Sequence, residues 1–107
     1  MKLTEFRQSL HHPEPPPGLP SLVEALWWDA RGDWSRAHEI AQEIDSREAA
    51  WVHAYLHRKE GDTSNAGYWY AQAGKSSSRQ PLEAEWEHIV ETLLAEGAAC
   101  PSPSPNV

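Results

Sequence analysis

Shifted by 29 residues, the chain overlays on itself. LVEALWWDARGDWSRAHEIAQEID, residues 22–45, then lies over WVHAYLHRKEGDTSNAGYWYAQAG, residues 51–74, and six of 24 positions are identical. These are Val23/Val52, Ala25/Ala54, Gly32/Gly61, Asp33/Asp62, Ser35/Ser64 and Ala37/Ala66. They are residues that direct the backbone. Glycine accepts the left-handed conformation that stops a helix, and aspartate caps the next one. Small alanines let helices approach closely. Each unit therefore reads as helix, Gly-Asp turn, helix. One such unit cannot bury its apolar face alone, so the two are expected to stack.

The apolar spacing agrees with this reading. Ser21 with Glu24 has the pattern of a capping box, followed by a stripe of Leu22, Val23, Leu26, Trp27 and Ala30. Gly32 ends that helix and Asp33 caps a second, with Trp34, Ala37, Ile40, Ala41 and Ile44 on one face. Asp45 and Glu48 repeat the box before a third helix holding Trp51, Val52, Tyr55 and Leu56. Asp62 caps a fourth, with Ala66, Trp69, Tyr70 and Ala73, ended by Gly74. KSSSRQ is a polar loop. Pro81 suits a first helical position, and Leu82, Trp86, Ile89, Val90, Leu93 and Leu94 give the cleanest amphipathic stripe, ended by Gly97. Glu83, Glu85, Glu87 and Glu91 are expected to face away from it, as a solvated surface or an acidic docking face. Residues 2–10 read as a short helix.

Two segments break the helical pattern. Residues 13–20, PEPPPGLP, hold five prolines in eight positions and read as an extended path. They are expected to pack along the first helices, touching Trp27 or Trp51. Residues 101–107, PSPSPNV, read as a tail. The fold expected is all-α: two stacked hairpins and a C-terminal capping helix. It divides into an N-terminal segment 1–20, a helical-repeat domain 21–97 and a disordered tail 98–107.

Charge and composition narrow the function. With nine basic and 16 acidic residues the net charge is −7, which disfavours nucleic acid and an anionic membrane surface. The single cysteine, Cys100, has no partner for an intrachain disulfide. No secretory leader is evident and no apolar run is long enough to span a membrane, so a soluble cytoplasmic chain is expected. The six tryptophans are read as inter-helix packing.

ARGDWSRA and KEGDTSNA resemble the Gly-Asp turns of tetratricopeptide-like repeats. In that family the first helix carries a small residue, then a large aromatic three positions later. Those places fall on Ala25 and Trp28, then on Ala54 and His57. The small residues of the second helix fall on Ala37 and Ala66, and its later bulky place on Ala41 and Tyr70. The resemblance covers residues 21–74. It departs in period, 29 against about 34, and lacks the closing proline. The blocks GDWxxAHxxAQ and WVHAYLHRKEGD also resemble those of a group of uncharacterised short bacterial proteins, which lends no catalytic residue.

His53 and His57 stand four apart, on one helical face and within reach of one ion. The resemblance puts both on packing places. As a metal pair they need a third ligand, for which Glu60, His38 and His88 are the candidates. HAYLH lacks the glutamate of the zinc-protease motif, so that chemistry is not suggested. A second candidate surface is Trp51, Tyr55, Arg58 and Lys59 on one side of the third helix, continued by Asp29. By resemblance this side lines a concave face, where aromatics beside Arg and Lys suit a peptide. The expected function is a non-enzymatic module binding a protein or peptide partner, or self-associating, with no cofactor and no catalytic residue. The alternative is a small metal-dependent enzyme or metal-binding protein using His53 and His57.

Overall fold

The computed structural model describes residues 1–99, with side-chain surroundings through residue 96. The expected tail beyond residue 99, with Cys100, lies outside the described residues. The described residues form six helices and no strand: α1 Leu3–Ser9, α2 Ser21–Ala30, α3 Trp34–Gln42, α4 Arg47–Glu60, α5 Thr63–Ala73 and α6 Leu82–Ala99. The architecture is all-α, as the spacing predicts. Residues 98 and 99, assigned above to the tail, continue α6.

The internal repeat is visible in the backbone. Gly32 and Gly61 both have positive φ, +90° and +93°. The N–H of the following aspartate closes each turn: Asp33 donates to the Trp28 carbonyl and Asp62 to that of His57, each at 2.9 Å. The same aspartates cap the next helices. Asp33 accepts from Arg36 N at 3.0 Å and Asp62 from Asn65 N at 3.2 Å. A third such turn ends α5 at Gly74, φ +74°, where Lys75 N donates to the Tyr70 carbonyl at 2.9 Å. A Cβ added at Gly61 would meet no neighbour within 4 Å, so the cost of adding one is purely conformational. Gly61→Ala is therefore expected to destabilise by about 1 kcal/mol, read as a lower urea midpoint. An unchanged midpoint would mean the turn is not left-handed.

Two expected caps differ. Ser21 is inside α2, because Pro20 enters extended at ψ 146° and its carbonyl takes the first helical bond, from Glu24 N at 2.9 Å. Glu24 accepts instead from the Trp28 indole at 3.4 Å. Before α4 the cap is Ser46 rather than Asp45, its hydroxyl accepting from Ala49 N at 3.0 Å.

Helix α4 is the axis of the molecule. Every residue from Ala49 to His57 is buried, so this helix has no solvent stripe along that stretch. α3 and α5 pack on it from two sides, α2 packs on α3, and α6 lies across α2 and α4. α1 packs on α6 and seals it with Phe6, fully buried against the Trp86 ring at 5.7 Å. Tryptophans tie the layers together. Trp27 donates to Ser9 Oγ (3.1 Å), Trp86 to the Leu26 carbonyl (3.1 Å) and Trp34 to the Leu56 carbonyl (2.8 Å). Of the Pro-rich segment, Leu19 packs against the core. The polar partner of Trp27 comes from α1 instead, and Trp51 is covered by Glu85, His88 and Lys75.

Candidate metal centre

The face expected to bind a peptide is filled by the chain itself. Trp51, Tyr55 and Asp29 are buried beneath α6 and α1, while Arg58 and Lys59 sit at the rim. Lys59 Nζ reaches Asp29 at 2.9 Å and the Tyr55 hydroxyl donates to the same carboxylate at 3.2 Å. Glu85 is the second anchor. It does not face solvent as expected: only 2 % of it is exposed. Arg58 donates to it at 2.8 Å, the Tyr70 hydroxyl at 2.6 Å and the Trp51 indole at 3.4 Å. Burial first, and then Asp29 and Glu85, pushes the Tyr55 and Tyr70 phenols well above their usual range, so both stay protonated and donate. Glu83 and Glu87 pair with Arg7 of α1.

This occupant is permanent. Trp86, Ile89, Val90, Leu93 and Leu94 are all buried on α6. At about 1.5–3 kcal/mol per large apolar side chain, exposing them would cost about as much as a whole domain's stability. Most of the groove is therefore part of the core, and a cleft of about 310 Å³ stays open at its edge, where Asp29, Tyr55 and Lys59 face Arg7, Leu82 and Trp86.

On the other side of α4 the histidines meet. His53 and His57, one turn apart on α4, are joined by His38 from α3. Ring centroids are 4.7 Å apart for His38–His53, 5.2 Å for His38–His57 and 5.5 Å for His53–His57. One nitrogen from each lies within 4.8 Å of the others. Two indoles hold the rings in place. Trp34 stacks on His38 at 4.9 Å and 12°, and is itself fixed by its bond to Leu56. Trp69 of α5 lies 4.1 Å from His53. Of the three third ligands considered in sequence, His38 is in the cluster. His88 is on α6, edge-on to Trp51 at 5.3 Å. Glu60 lies behind His57, with its Oε1 3.0 Å from His57 Nδ1. His57, Glu60 and Asp62 also bring ligand atoms within 4.8 Å of one another, but Asp62 is engaged as the α5 cap.

The electrostatics suit a cation. Desolvation first, and then the neighbouring His38 and His57, pushes His53 down to about 4; desolvation and His57 also lower His38. Both are therefore neutral near pH 7, which is the ligating form of imidazole. His53 Nε2 is buried and has no hydrogen-bond partner among the described residues. A buried, unpaired polar atom costs about 1–3 kcal/mol. Tetrahedral bonds of about 2.0–2.1 Å require ligand nitrogens about 3.3 Å apart, so binding an ion would draw the three rings closer together than they stand here. Three imidazoles leave a fourth position open.

No protein-family profile matches the chain, and no curated protein or solved structure matches it significantly. No helix among the described residues is long and apolar enough to cross a membrane.

Proposed function

We propose that this is a small helical metal-binding protein, with His38, His53 and His57 as ligands to a borderline divalent cation such as Zn²⁺, Ni²⁺ or Cu²⁺. The observation that carries this reading is the unpartnered buried Nε2 of His53 within a cluster of three imidazoles. Simple packing of histidines predicts rings against apolar neighbours, with each nitrogen either bonded or wet. Glu60 supports the reading from the second layer. A carboxylate on His57 Nδ1 fixes the ring and its tautomer, leaving Nε2 free for the ion.

The test is a titration of untagged protein with Co²⁺ and Zn²⁺. One equivalent is expected to bind. His57→Ala is expected to abolish stoichiometric binding, and Glu60→Gln to weaken it by about 10–100-fold. Absence of saturable binding, or binding undiminished in His57→Ala, overturns the reading.

The interaction-module reading rests on a different observation. An open groove of about 550 Å³ runs between α2, the α3–α4 connection and α6, with Pro20, Leu22, Ile44 and Leu93 along it. That face would serve a protein or peptide partner or a second copy. The repeated Gly-Asp turns support the tetratricopeptide-like stacking of α2–α3 on α4–α5 that goes with it. Light scattering over a dilution series tests self-association, and Leu22→Glu should abolish it.

A further inference from the structure

The groove between α2, the α3–α4 connection and α6 is apolar along its length and acidic in its charged groups. Pro20, Leu22, Ile44 and Leu93 form the apolar part, Glu48 of α4 and Glu96 of α6 stand among its walls, and no Lys, Arg or His lines it. Neither carboxylate has a cation within ion-pair distance among the described residues. Residues 97–107 hold no Lys, Arg or His that could supply one. The neighbouring bases are directed elsewhere. The Arg47 guanidinium lies beside Gly74, and Lys75 Nζ sits 4.1 Å from the Trp51 ring centroid. Both line a separate hollow beside Trp51 and not this groove. We propose that the groove docks a short basic segment of another protein, its apolar side chains against Leu22, Ile44 and Leu93 and its Lys or Arg side chains on Glu48 and Glu96.

The place of Glu96 carries the charge argument. A helix is partially negative at its C-terminus, so a carboxylate there is disfavoured unless a cation meets it. Glu96 is in the last turn of α6, and that turn holds no basic residue. Glu48 is in the first turn of α4, where the positive helix end offsets part of its charge. The uncompensated charge therefore lies on the α6 side, beside Leu93. A concave apolar wall edged by one sign of charge concentrates the field and attracts the opposite sign. Charge also decides between occupants. A second copy would bring another net −7 to a face that is already acidic. The chain's own residues 100–107, CPSPSPNV, carry no cation to offer. A separate basic segment satisfies both the apolar strip, where Leu22 and Ile44 are only half-buried, and the two acids.

This inference rests on the interaction-module reading of the same groove, and the experiment separates the two. A fluorescein-labelled peptide of two leucines flanked by lysines is titrated into the full chain and followed by anisotropy, beside a twin with glutamates in place of the lysines. The lysine peptide is expected to saturate with a Kd of about 0.1 mM or tighter, at least about tenfold below that of the twin, and to weaken with added salt. Glu48→Gln with Glu96→Gln should weaken it about tenfold, and Leu22→Ser at least as much. Glu39→Gln with Glu91→Gln removes the same charge from exposed positions outside the groove and should leave it within about twofold. Equal losses in the two double variants, equal binding of the twin, or displacement of the probe by a peptide of residues 100–107 overturns the assignment. If the lysine peptide does not bind but the twin binds, or the chain self-associates, in a Leu22-dependent way, the assignment falls and the interaction-module reading stands. If neither peptide binds and the chain stays monomeric, both fall.

Discussion

Glu85→Ala is expected to destabilise the fold by about 3–5 kcal/mol, the cost of stripping one partner from a buried charge network. The carboxylate accepts from Arg58, Tyr70 and Trp51, groups on α4 and α5 that have converged on one point of α6. Alanine leaves the phenol and indole donors buried with nothing to bond. Arg58 keeps only its contact to the Gln80 carbonyl. Glu85→Gln retains one acceptor oxygen and should cost roughly half as much. Glu83→Ala, on an exposed pair with Arg7, should cost less than about 1 kcal/mol. Guanidinium unfolding curves for the three variants decide the matter. Equal midpoints for Glu85→Ala and Glu83→Ala would show that α6 is not locked at Glu85, and would reopen the groove beneath it.

The sequence carried most of the backbone plan. Gly32, Gly61, Asp33 and Asp62 repeat at a fixed interval, and their turns repeat hydrogen bond for hydrogen bond. Turn chemistry of this kind is local, so it can be read locally. The destination of α6 was not local. A stripe of Leu82, Trp86, Ile89 and Leu93 demands an apolar partner but does not name one, and the face of α4 bearing Trp51 and Tyr55 suits an external peptide as well as it suits α6. One signal could have decided it. Glu85 stands three residues after Leu82 and four before Ile89, inside the apolar stripe rather than opposite it. A carboxylate there needs buried donors, and Tyr70, Arg58 and Trp51 are such donors. Asp29, seven residues after Leu22 on the same helical face, meets Tyr55 and Lys59 for the same reason. Spacing alone made His53 and His57 a pair. The third member, His38, came from another helix, and only packing could choose it over His88. The caps were displaced where two competing side chains stood together: Ser46 beside Asp45, and Ser21 directly after a proline that can supply only its carbonyl.

Between about pH 6.5 and 4 the metal-free protein is expected to lose stability through His53 alone, by about 2–3 kcal/mol in total. Burial and the neighbouring rings lower its folded pKa to about 4, against an ordinary value of 6.5. Within that window the unfolded chain binds the proton more readily than the folded one, so stability rises with pH. The contribution is fully present above about 6.5 and is lost as pH falls through 6.5 towards 4. His38 shifts in the same direction and steepens the dependence. The groups facing His53 explain why nothing cancels the effect. His38, His57 and Trp69 surround it, Glu60 is already on His57, and the causes of its shift, burial, His38 and His57, all act downward. The measurement is a difference between wild type and His53→Gln, which isolates this one group. Urea unfolding at half-unit steps from pH 7.5 to 4 should give converging curves, with wild type losing its advantage as pH falls. Zinc should widen the gap at the upper end only, by about 2.7 kcal/mol at a hundredfold excess over Kd, because protons and metal compete for the same nitrogens. Parallel curves for the two proteins would show that His53 is not held neutral. Its buried nitrogen would then have a partner and would offer no free lone pair to an ion.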